Sequence, residues 1–343
     1  MKESAVTTTN RSIDDEWRRW IGENLLLDAP PPALHGALVG HGFDAAEASR
    51  EIEAALASPY FQGATRLRNR LRKREWILSV YGALNRMRAT GGVIERRERL
   101  SRDEFFEQYY FQNRPVIITG AFDFWPARRT WSFDYFRQRC GDREVEVQFG
   151  RESDADYEIN QPTLKRLMRF GEYVDLVERS GATNDFYMTA NNTSQNRTAL
   201  AALWPDVPTI DTYLDAASPD TGFFWMGPAG TKTPFHHDLT NNFMAQVIGR
   251  KQIKLVPLVD TPHMANHLHC YSQVDGSAID YERFPSMHNA QLIECTLAPG
   301  ELLFLPIGWW HYVEGLDASV TMTFTNFLQS NDFSRHYATY HEL

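Results

Sequence analysis

The chain has 343 residues, 43% of them hydrophobic and 13% aromatic, and a formal net charge of −9. That length supports one large or two modest domains with a real core, and the acidic balance argues against nucleic-acid binding, which wants a basic face for phosphates. Cys140, Cys270 and Cys295 are widely spaced with no C-x-x-C, which fits no disulfide framework and suits a reducing cytosol. MKESAVTTTNRS lacks an apolar core, and no run of about eighteen apolar residues follows, so no membrane association is expected and a cytoplasmic location is.

Residues 1–10 are polar and Thr-rich, and disorder is expected there. From Ser12 onward Ile13, Trp17, Trp20 and Ile21 recur at helical spacing. Pro30-Pro31-Pro32 stops that helix and opens another over 33–39. Asp44 is placed to cap a third over 45–57. A fourth is expected from 64 to about 88, with a basic first half, RLRNRLRKRE, and an apolar second half, WILSVYGALNRM. The basic run reads as a solvated face paired with Glu51 and Glu53, or alternatively as a contact surface for an acidic partner. Gly91-Gly92 marks the end of a helical N-terminal region, residues 1–92, whose helices are candidates for homodimer formation.

Ser101 and Glu104 spell a capping box for a helix over 101–110. Strands are expected at 115–119, 144–149 and 185–190, the last ending at Asn191-Asn192, and helices at 133–140 and 170–180. From 223 to 327 strand signals are dense, near 223–227, 242–248, 252–256, 291–297, 301–305 and 318–326. The expected class for 93–343 is mainly β with α, a double-stranded β-helix (jelly-roll barrel) behind the helical segment. Residues 259–290 lack periodicity and read as an insertion across the barrel mouth.

Within this region lies Thr233–Lys251, TPFHHDLTNNFMAQVIGRK. On a strand, His236 and Asp238 point to one face and His237 to the other. An imidazole and a carboxylate held together supply two ligands of the facial triad used by non-haem Fe(II) oxygenases. His311, in PGELLFLPIGWWHYV, is the candidate third ligand, since that stretch reads as a strand, a turn at Ile307-Gly308 and a return strand. His263, His267, His269 and Cys270 do not match a structural zinc spacing.

These stretches, with SQVD at 272–275 and DYERFP at 280–285, resemble the JmjC branch of the cupin superfamily of Fe(II)- and 2-oxoglutarate-dependent oxygenases. The likeness is greatest to the asparaginyl hydroxylase that acts on hypoxia-inducible factor. The resemblance implies that Lys251 and Thr233 bind the far carboxylate of 2-oxoglutarate, that Asn242 and Asn326 lie near the co-substrate, and that Tyr187 adds a phenolic contact. It also implies a reaction: hydroxylation of an amino-acid side chain in a protein or peptide, with O2 as co-substrate and succinate and CO2 as products. The same chemistry on a free amino acid or small metabolite is the alternative. N-methyl-lysine demethylation and a non-catalytic metal-binding cupin are further readings. Where the asparaginyl hydroxylase has Arg-Gln before the SQVD match, this chain has Cys270-Tyr271, and Leu328 replaces a Trp. The substrate reader therefore departs from that relative while the iron and co-substrate residues are kept.

Overall fold

A computed structural model describes residues 12–88, 92–190, 193–218 and 222–341. The disorder expected for residues 1–10 and the punctuation expected at Gly91 and at Asn191-Asn192 lie outside them. The chain forms two compact units, Met1–Val80 and Tyr81–Leu343.

The first unit contains α1 (Asp15–Leu26), α2 (Pro31–Gly40), α3 (Ala45–Ala57) and most of α4 (Pro59–Arg86). Asp14 caps α1 by accepting from the Glu16 and Trp17 amides, Pro31 opens α2, and Asp44 caps α3. Each satisfies or removes an orphan donor of a first turn. Ile21, Leu25, Leu34, Leu38 and Ile52 form the core with Phe43, whose ring meets Trp17 edge-on at 4.9 Å. The basic run of α4 pairs with the end of α1 instead of α3: Arg68 and Arg72 reach Asp28 at 2.8 and 2.5 Å. Glu51 is engaged by Arg18 at 3.0 Å.

The division falls inside α4, ahead of the boundary expected at Gly91-Gly92. Its last residues are tied into the second unit, Asn85 donating to the Gln291 side chain at 3.2 Å and Arg86 lying 3.4 Å from Asp260.

The second unit carries β1 (Glu95–Glu98), β2 (Val116–Thr119), β3 (Glu144–Phe149), β4 (Lys165–Arg169), β5 (Phe186–Tyr187), β6 (Phe223–Gly227), β7 (Lys232–His237), β8 (Asn242–Ile248), β9 (Lys251–Val256), β10 (Asn266–Leu268), β11 (Tyr271–Ser272), β12 (Ile293–Leu297), β13 (Glu301–Leu305), β14 (Trp310–Gly315) and β15 (Ser319–Phe324). They make two six-stranded sheets, ordered β1-β2-β13-β8-β15-β6 and β10-β11-β7-β14-β9-β12, and a three-stranded sheet, β4-β3-β5. The expected barrel is thus two sheets with edges, and pairing among the described residues does not close a ring.

The first sheet is buried on both faces, and side-chain alternation sorts its residues. Ile117, Met244, Leu303 and Leu305 face the second sheet, meeting Ile253, Leu255, Leu297 and Val313. Val116, Ile118, Phe243, Ala245, Leu302 and Phe304 point the other way, onto Phe105, Tyr109, Phe136, Phe170 and Tyr173 of the helical layer. The Ser101–Glu104 capping box is formed, and the helix it opens passes into a π-helical turn, Phe106–Tyr110.

The insertion 259–290 largely covers the outer face of the second sheet. Met264, Val274 and Met287 pack there against Phe235, Val256, Trp310 and Tyr312. Only its β10–β11 hairpin extends to the mouth, pairing Tyr271 with His236.

Leu303 is fully buried between the sheets, and Leu303→Ala should cost about 2–5 kcal/mol. Urea unfolding checks this; a midpoint unchanged from the parent would refute the inter-sheet packing.

Candidate metal and co-substrate site

β7 places Phe235 in the outer core and His236 inward, while His237 faces out against Trp310 at 4.8 Å between ring centroids. Beyond β7, the Asp238 carbonyl accepts from the Gly308 amide at 3.1 Å. Gly308 has φ +76°, and a Cβ there would lie 2.6 Å from Leu258, so the turn needs glycine. This turn returns the chain as β14, which pairs His311 with His236. Asn241 secures the turn, its Oδ1 accepting from the Ile307 amide at 2.8 Å.

The candidate ligand atoms of His236, Asp238 and His311 all lie within 4.8 Å of one another. His236 Nδ1 lies 2.9 Å from the Pro234 carbonyl and His311 Nδ1 3.0 Å from that of Trp309. A carbonyl only accepts, so each Nδ1 carries the proton and each Nε2 keeps its lone pair. His236 Nε2 stands 3.7 Å from Asp238 Oδ1, too far for a hydrogen bond and suited to two ligands sharing an ion. Burial, with His236 beside it, drives the His311 pKa down, which keeps the imidazole in its ligating form. The Asn242 amide lies 3.4 Å from Asp238 Oδ2, leaving Oδ1 for a metal. The donor set fits a divalent ion such as Fe(II).

These groups line a cavity of about 250 Å³ enclosed from both large sheets, with Thr233, Trp225, Thr323, Val313 and Lys251 in its wall. Lys251 is only 2% exposed. Its Nζ lies 3.0 Å from the Tyr187 hydroxyl and has no carboxylate partner among the described residues. Burial pushes its pKa down to about 7, as expected for an amine removed from water without a counter-charge. Tyr187 is held there by β5, where it pairs with Gln148.

Of the residues named from the sequence, His236, Asp238, His311, Lys251, Thr233, Asn242 and Tyr187 line the cavity. Asn326 does not; its amide donates to the Asp215 carbonyl at 2.9 Å, a link between loops. Cys270 and Tyr271 are in the wall, whereas Leu328 is exposed and outside it. Sequence reasoning missed Glu158 and Trp225, both wall residues. Trp225 was reachable as an inward position of a recognised strand, but Glu158 sits in an irregular stretch with no periodic signal.

A family model described as a cupin-like domain matches residues 102–332. Lysine-specific demethylase 8 of Xenopus tropicalis is 34% identical over 65% of this chain and 50% of its own length. Lysine-specific demethylase JMJ30 of Arabidopsis thaliana is 34% identical over 67% of this chain and 54% of its own. The human bifunctional peptidase and (3S)-lysyl hydroxylase JMJD7 is 28% identical over 64% of this chain and 79% of its own. The chain thus spans about half the length of the two demethylases.

The Lys251 amine makes a stability prediction. Between pH 7 and the ordinary lysine pKa the unfolded chain binds more protons than the folded one, so stability should rise with pH across that window. Lys251→Met should flatten this slope and stabilise the ligand-free chain near pH 7 by a few kcal/mol, roughly. Urea unfolding between pH 7 and 10 checks both; a parent curve as flat as the variant's would contradict the buried, unpaired amine.

Proposed function

The chain belongs to the cupin-like domain family, in its JmjC branch of Fe(II)- and 2-oxoglutarate-dependent oxygenases, and from that premise we propose that it hydroxylates an amino-acid side chain in a protein or peptide. One observation carries this reading: two imidazoles with free Nε2 atoms and a carboxylate share a small cavity with a buried lysine that lacks a counter-charge.

When bound, a ferrous ion couples decarboxylation of 2-oxoglutarate to succinate and CO2, which takes up one atom of O2, to insertion of the other atom into a substrate C–H bond. His236, His311 and Asp238 would hold the metal. Lys251 and the Tyr187 hydroxyl would take the far carboxylate of 2-oxoglutarate, with the Thr233 hydroxyl in the same wall as a further donor. A carboxylate there favours the charged amine, so binding near neutral pH would draw a proton onto Nζ. Leu305, Val313 and Met244 line the cavity and keep water from the reacting centre.

Cys270-Tyr271 in the wall, and Leu328 outside it, support a target other than asparagine. N-methyl-lysine demethylation is the second reading, favoured by the names of the two relatives that are 34% identical.

Succinate production by anaerobically Fe(II)-loaded protein, with and without O2, tests the proposal. The parent should turn over 2-oxoglutarate slowly in an O2-dependent way, and His236→Ala should not. Lys251→Ala should weaken 2-oxoglutarate binding roughly 10- to 100-fold. If the parent does not bind 2-oxoglutarate, the oxygenase reading falls and a metal-binding cupin without this activity replaces it.

A further inference from the structure

The chain that follows β15 returns toward the metal centre from outside the cavity, and its Asn331 takes up the polar groups of Asn241. We infer that Asn331 is a positioning residue of the metal centre, holding through Asn241 the turn that joins Asp238 to His311. The inference rests on the metal-site reading above and adds to it a residue outside the described cavity wall.

Asn241 is 2% exposed and stands three residues after Asp238. Its Oδ1 accepts from the Ile307 amide at 2.8 Å, next to the Gly308 amide that donates to the Asp238 carbonyl. These two bonds tie the residues after β7 to the turn before β14. The same turn carries the Trp309 carbonyl that orients the His311 ring. Where the turn sits therefore sets how His311 stands to Asp238 and His236.

A side-chain amide can serve this turn in only one of its two orientations, because an NH2 group facing the Ile307 N–H would set donor against donor. Asn331 makes the choice. Its Oδ1 accepts from the Asn241 backbone amide at 2.8 Å and from Asn241 Nδ2 at 3.0 Å, which turns Asn241 Oδ1 toward Ile307. Asn331 is itself fixed, its Nδ2 donating to the carbonyls of Asn241 and Thr325 at 2.9 and 2.8 Å. The Tyr110 hydroxyl holds the neighbouring Ser330 carbonyl at 2.9 Å.

On the same turn Asn113 donates to the Ile307 carbonyl at 2.9 Å and accepts from the Trp309 indole at 2.8 Å. Two asparagines distant in sequence, Asn241 and Asn113, thus bracket the turn. Asn113 also satisfies a buried indole, so its loss would disturb the core. Asn331 is half-buried, and without it the Asn241 N–H and Nδ2 lose their acceptor and the amide is free to turn from Ile307. A clasp that merely anchored the loop would lower stability alone. A positioning clasp also lowers metal affinity, because ligands about 1 Å too loose hold an ion poorly.

The test titrates the full chain, free of metal, as parent, Asn331→Ala and Asn331→Asp. The probes are Fe(II) under anaerobic conditions and Co(II), whose visible absorption reports coordination geometry. Urea midpoints of the same metal-free proteins give the stability cost separately. Tyr337→Phe, which removes a contact of the same segment with His269, is the control. Asn331→Ala should bind both metals roughly 10-fold more weakly, with an altered Co(II) spectrum, and Tyr337→Phe should match the parent. Asn331→Asp keeps the acceptor toward Asn241 Nδ2 and loses both donations, so it should fall between them; it carries the comparison if Asn331→Ala fails to fold. In an Asn241→Ala background, Asn331→Ala should change metal affinity no further, since its effect passes through Asn241. Parent-like affinity and spectrum in the Asn331 variants would overturn the inference whatever their urea midpoints. An equal loss in Tyr337→Phe, or a further full loss in the Asn241→Ala background, would do the same. A parent that binds metal but not 2-oxoglutarate would remove the oxygenase reading and leave the clasp to stand on the metal data. A parent that binds neither metal would overturn the inference together with the metal site.

Discussion

β14 is hydrogen-bonded on both sides, to β7 and to β9, and the geometry of the centre follows from that double pairing. One side sets His311 opposite His236. The other sets Gly315 opposite Lys251, at the far end of the same strand. Because residues two apart share a face, this register fixes the two imidazoles at one end of the cavity and the amine at the other. A one-residue slip would turn His311 outward and Trp310 inward. The burial of Trp310 and Tyr312 on the outer face, under the 259–290 insertion, makes that slip expensive. The insertion therefore acts on the centre mainly from behind, by pinning the register of the strand that carries a ligand.

The site holds polar and charged groups that a core selected for stability alone would exclude. Lys251 is a buried amine with no carboxylate partner among the described residues, and Glu158 is the counter-ion of the buried Arg151. Of the two, the amine is the one left incomplete until an anion binds. The Lys251 end of the cavity is thereby suited to an anion. The inner faces of two sheets, with an aromatic layer behind the first, supply the rigidity that maintains such an arrangement.

Much of this was legible in the sequence because it depends on period. The two-residue repeat around His236, the Ile307-Gly308 turn and the Asp44 cap each have a local cause. The helix bounds at Phe133–Cys140 and the strand bounds at Phe223–Gly227, Asn242–Ile248 and Glu301–Leu305 coincide with those expected. What escaped depends on long-range pairing. The charged strand β1, ERRE, exists because it runs parallel to β2, with Arg96 reaching Glu301, and β4 exists because β3 is there to pair with it. Arg68 and Arg72 chose Asp28 over the glutamates of α3 for the same reason, a packing geometry with no local signature. Asn326 was placed near the co-substrate by resemblance, and its amide is occupied by the Asp215 carbonyl. Glu158 carried no pattern at all, since it sits in an irregular stretch and is held by its long-range-placed partner Arg151.

The orientation of both imidazoles is set by main-chain carbonyls, those of Pro234 and Trp309. A carbonyl is present whatever side chain is attached, so the ring tautomers do not depend on the identities of residues 234 and 309. A ligand histidine oriented by a side-chain carboxylate instead needs that second residue retained with it. Here that dependence is removed. The walls around the centre are free to diverge, exchanging one target for another, while the disposition of the two Nε2 lone pairs is inherited with the strands themselves.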